Sequence, residues 1–73
     1  MPTQIVMDHS GDSRHYFASG DLEAVARAEE RFKELTRRGF TAAARSGPGQ
    51  VSKIDAFDPS AEETLFFPHL VGG

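Results

Sequence analysis

Three histidines, His9, His15 and His69, are the first candidates for chemistry in this 73-residue chain. None stands four residues from another, the spacing that puts a zinc pair on one helix face. The chain has no cysteine, so thiolate ligands, thiol nucleophiles and disulfides are excluded. Asp8, His9 and Asp12 crowd one segment, "DHSGDS" (8–13), and as a set could touch a cation. The same residue types also build a tight turn that bonds its own backbone, and that is the reading we adopt.

Serine chemistry is no better supported. Ser10, Ser13, Ser46 and Ser60 all fall in turn-like segments, without the Gly-x-Ser-x-Gly elbow that presents a nucleophile. A catalytic nucleophile also needs a base and an oxyanion pocket, which a chain this short assembles with difficulty. "SGPG" (46–49) lacks the Gly-Lys-Ser/Thr ending of a phosphate loop and reads as a hairpin turn. No metal, cofactor or intrinsic enzymatic activity is therefore expected.

Arg27, Arg31, Lys33, Arg37, Arg38 and Arg45 form a basic group. Glu23–Arg27 and Glu29–Lys33 are helical ion pairs of favourable order, so much of that charge reads as a solvated face. The net charge of -3 also turns attention away from free nucleic acid as a partner.

What remains is the ending, "EETLFFPHLVGG". Glycine has no Cβ, so Gly72-Gly73 can thread a narrow channel and present a carboxylate to a reactive group. From Pro68 onward, six residues can extend by at most about 20 Å. Phe66 and Phe67 are adjacent, so in a strand they point to opposite faces, one toward a core and one outward.

The elements needed to hold that ending are legible. Gln4-Ile5-Val6-Met7 and Arg14-His15-Tyr16-Phe17 flank turn residues and predict a hairpin. Leu22, Val25, Ala28, Phe32 and Leu35 recur at helical spacing, after an N-cap at Ser19 or Asp21 and before Gly39 as a C-terminal stop. Phe40–Arg45 alternates as a strand, "SGPGQ" (46–50) turns, Val51–Phe57 is a further strand, and Thr64–Phe67 is the last, closed by Pro68. The expectation is an α+β fold, one amphipathic helix on a mixed sheet of four to five strands. It spans residues 1–67, with 68–73 as a tail. No signal peptide or membrane span is evident, and the lack of cysteine suits the cytoplasm.

Residues 57–73, "FDPSAEETLFFPHLVGG", resemble the C-terminus of the β-grasp sulfur carriers. They are most similar to the small subunit of molybdopterin synthase, which ends in an apolar strand, Phe-Pro-Pro and Gly-Gly. Phe67, Pro68, Gly72 and Gly73 match that motif. His69 stands in place of the second proline, and "PSAEE" in place of the usual Asp-Gly-Asp turn. The element order also resembles ubiquitin, and the looser group of bacterial ubiquitin-like proteins suits the sequence as well.

The resemblance implies a ubiquitin-like β-grasp domain. An E1-like enzyme would use ATP to adenylate the Gly73 carboxylate, leading to a thiocarboxylate for sulfur delivery or to conjugation with a target lysine. Phe66, Phe67, Pro68 and Leu70 would dock partners. Those partners would be the E1-like enzyme and a metalloprotease or sulfur-accepting enzyme, not nucleic acid or membrane. With Gly73 closing the sequence, no protease step is expected before activation. The alternative is a small non-catalytic α+β adaptor with an incidental Gly-Gly tail.

Overall fold

The computed structural model describes residues 1–68. Their elements run β1 (Thr3–Asp8), β2 (Gly11–Tyr16), α1 (Leu22–Arg37), β3 (Phe40–Gly47), β4 (Gln50–Ile54) and β5 (Glu63–Pro68).

Local chemistry sets the joints. Between β1 and β2, the Asp8 carboxylate accepts hydrogen bonds from the Ser10 backbone N–H at 2.8 Å and its hydroxyl at 2.6 Å. Gly11 closes this turn at φ 124°, a conformation that side chains with a Cβ rarely adopt. Of the two expected caps, Asp21 is the one used: its carboxylate accepts from the N–H groups of Glu23 and Ala24 at 3.1 and 3.2 Å. Arg38 is the C-cap, and Gly39 follows at φ 99°, as the sequence predicts. The helical pairs Glu23–Arg27 and Glu29–Lys33 both form, at 4.0 Å and well exposed.

The strands make a single sheet in the order β2-β1-β5-β3-β4. β1 and β5 run parallel; every other neighbouring pair is antiparallel. With α1 packed on one face, the domain is the expected two-layer α+β arrangement, a β-grasp-like fold.

Strand alternation sorts side chains between the faces. Val6, Phe66, Ala42, Phe40 and Ile54 turn toward α1 and meet Phe32 and Leu35. Ala42 is small, leaving room for Phe66, whose ring meets Phe32 edge-on at 5.7 Å. The chain then uses Phe57 to close the core's margin, its ring 6.0 Å from Phe32 and 6.1 Å from Phe17.

Three expectations need correction. Leu22, placed on the buried helix face by its spacing, is 82% exposed. The buried stripe of α1 is Ala28, Phe32 and Leu35, so the first turn runs past the core. The fourth strand stops at Ile54 rather than Phe57, because the chain bends at Asp55-Ala56 and carries Phe57 back to its aromatic neighbours. β5 includes Pro68, paired with Phe40 of β3, so the sheet extends one residue past the expected boundary. Pairing of β5 with β1 ends at Phe66, leaving one side of Pro68 without a β1 partner and making its missing N–H tolerable. Among the described residues, no helix is long and apolar enough to cross a membrane.

Candidate functional site

β5 lies in the middle of the sheet and carries the chain toward its last residues. Of its two adjacent phenylalanines, Phe66 is fully buried and Phe67 is 37% exposed on the opposite face. The register explains the difference. Phe66 stands between Val6 of β1 and Ala42 of β3, both facing α1, whereas Phe67 pairs with Thr41 on the side that no helix covers. Phe66 therefore cannot touch a partner and leaves the expected docking set; its part is to hold β5 on the core. Phe67 and Pro68 are exposed and remain available. Leu70, Gly72 and Gly73, with His69, lie outside the described residues.

The open face behind Phe67 is built from matched rows. Ile5, Leu65 and Ala43 sit side by side across β1, β5 and β3, forming an apolar strip. Ile5 and Ala43 are themselves buried among their neighbours, and Leu65 is half-buried. Two residues away on the same face, Glu63 pairs with Arg45 through a 2.7 Å hydrogen bond from the guanidinium Nε, and Glu62 lies 3.5 Å from the same side chain. The Arg45 hydrogen bond holds the Glu63 carboxyl below its ordinary value. The face thus offers an apolar strip flanked along β5 by exposed Phe67 on one side and a fixed ion pair on the other, geometry suited to protein contact.

On the helix side, a groove of about 550 Å³ runs between β2 and α1, floored by Val6 and Leu35 and flanked by His15, Arg31 and Arg38. Behind Arg31, Gln4 is fully buried. Its amide donates to the Ala28 carbonyl at 2.9 Å, and its carbonyl accepts from Arg31 at 2.8 Å. With both ends of the amide bonded, Gln4 ties sheet to helix at no desolvation deficit. Sequence reading took Gln4 as the start of a strand and missed this part. Its only signal is parity with Val6, which puts it on the inward face.

His15, opposite Gln4 in the β1–β2 register, is half-buried beside Arg31. Burial lowers its pKa, and the Arg31 charge lowers it further. The unfolded chain then binds the proton more readily, so stability falls as pH drops below the ordinary value of 6.5. The depressed carboxylates Asp8, Asp58 and Glu63 act later, as pH falls through values below their ordinary 3.8 to 4.5. We expect the urea midpoint of the wild type to begin falling just below pH 6.5, and that of His15→Gln to hold until the carboxylate range. Superimposable pH profiles would contradict the lowered pKa of the half-buried His15.

The other sequence candidates are dispersed. Asp8 is engaged with Ser10, and an identical turn links Asp58 to Ser60 at 2.9 and 2.6 Å. Among the described residues no three metal-ligating side chains converge. The basic group is divided: Arg31 bonds Gln4, Arg37 bonds Glu34 at 2.9 Å, Arg38 lies 6.0 Å over Phe40, and Arg45 takes Glu62 and Glu63. Arg27 and Lys33 face their helical glutamates.

Comparison of the chain with protein-family models, curated proteins and solved structures returns no significant match.

Proposed function

We propose that this protein is a small ubiquitin-like carrier or modifier in the cytoplasm. The carboxyl of Gly73 is activated by an E1-like enzyme with ATP. The carboxylate oxygen attacks the α-phosphate, pyrophosphate leaves, and an acyl-adenylate forms. A sulfur donor or a thiol then displaces AMP, giving a thiocarboxylate or a thioester for transfer to a lysine. The domain supplies no catalytic group; it supplies a handle and a surface by which the activating enzyme, and afterwards a sulfur-accepting enzyme or metalloprotease, recognises it.

The observation that carries this reading is the placement of β5. The central strand is locked by Phe66 beneath the helix, presents Phe67 and Pro68 outward, and ends five residues before Gly73 in the sequence. Five residues can span at most about 18 Å, so an enzyme docked on Phe67 has the glycines within reach of its own active site.

Docking and activation are separable by experiment. Phe67→Asp puts a charge at the exposed flank of the apolar strip without touching the core. ATP–pyrophosphate exchange by the E1-like enzyme is expected to fall about tenfold or more in kcat/KM, the effect of losing one aromatic anchor. The far-UV circular dichroism should be unchanged. Exchange that is absent with the wild-type protein, or indifferent to Phe67→Asp, counts against this surface.

A further inference from the structure

The two edges of the sheet are built differently. On β4 the edge is short and carries Lys53. A short edge strand and a lysine are devices that discourage a further strand from adding. On β2 the edge has neither lysine, proline nor bulge, and its register with β1 is unbroken from Tyr16 to Gly11.

The hydrogen-bond parity of β2 is fixed by the pair beyond its end, where the Phe17 N–H donates to the Pro2 carbonyl at 3.1 Å. Antiparallel ladders alternate, so Ser13 and His15 turn their backbone groups inward to β1, while Asp12, Arg14 and Tyr16 turn theirs outward. No strand lies beyond β2 among the described residues. Asp12 and Arg14 also form no ion pair within the chain among the described residues.

We propose that β2 pairs antiparallel with β2 of a second copy about a two-fold axis through Ser13, joining the sheets of two protomers. Charge selects the occupant and the register. Centred on Ser13, Asp12 of each protomer stands opposite Arg14 of the other, and each such pair exchanges two backbone hydrogen bonds through groups already pointing outward. Centred on Arg14, two guanidiniums would face each other; centred on Asp12, two carboxylates would. The short sequence Asp12-Ser13-Arg14 is therefore self-complementary in one antiparallel register. β1 separates the junction from β5, so the strand carrying Phe67 stays uncovered. This inference does not depend on the chemistry proposed for Gly73.

Sedimentation equilibrium of the full chain over a wide concentration range tests it. The wild type is expected to rise toward the mass of a dimer as concentration increases. Asp12→Arg and Arg14→Asp each create like-charge pairs and should weaken self-association about tenfold or more. An equimolar mixture of the two variants should recover the wild-type mass, since every residue then meets its opposite. Loss with each variant alone and recovery on mixing cannot arise from misfolding. A wild type that stays monomeric throughout overturns the proposal and leaves the edge to some other strand. Variants that associate as the wild type does, or a mixture that fails to recover, overturn it equally.

Discussion

Phe66→Ala is expected to lower the urea unfolding midpoint steeply, removing a large part of the domain's stability. Phe66 is fully buried at the centre of the core, in contact with Phe32, Leu35 and Ala42. Truncating a buried phenylalanine costs about 3–5 kcal/mol. A 73-residue domain has roughly 4–11 kcal/mol in total. Its neighbour Ala42 has no side-chain length with which to fill the space. The neighbouring substitution is the control. Phe67→Ala removes a ring from the uncovered face and is expected to cost less than about 1 kcal/mol. Urea titrations followed by far-UV circular dichroism separate the two. Equal losses would show that the two faces of β5 have been assigned wrongly.

Deleting Gly72-Gly73 is expected to eliminate activation by the E1-like enzyme while leaving stability unchanged. The helix, the five strands and the core cluster are formed by residues within 3–68. In the proposed mechanism Gly73 forms the acyl bond, so no residual activity is expected. Replacing Gly72 with valine tests access separately. A β-branched side chain next to the reacting carboxyl should obstruct a channel shaped for glycine and lower kcat/KM without altering the fold. Single-turnover ATP consumption, read beside the unfolding midpoint, distinguishes lost chemistry from lost structure.

The fold was readable where one local signal sufficed. Helix α1 announces itself by the spacing of Ala28, Phe32 and Leu35 and by Asp21 and Gly39 at its ends. The hairpins follow from "DHSGDS" and "SGPGQ". Features that depend on a distant partner were less visible. Phe66 and Phe67 are chemically identical, and only the pairing with Val6 and Ala42 decides which turns inward. Leu22 has the right spacing but lies beyond the end of the core. Phe57 looks like a strand residue until Phe17 and Phe32 offer it two rings. Gln4 is a polar residue in an apolar run, and nothing local says that Ala28 and Arg31 will satisfy both ends of its amide. Of the expected docking residues, Phe67 and Pro68 are at the surface, Phe66 is not, and Leu70 lies outside the described residues.

The central claim concerns one carboxyl group, and the most direct test is the intact mass of the protein after incubation with its E1-like enzyme, ATP and a sulfur donor. The predicted result is a species in which the Gly73 carboxylate is present as an acyl-adenylate, a thiocarboxylate or a conjugate, located to that residue by fragmentation and absent without ATP. A mass unchanged under conditions in which the enzyme activates its other substrates would contradict the account, and the domain would then be an adaptor that works through its surface alone.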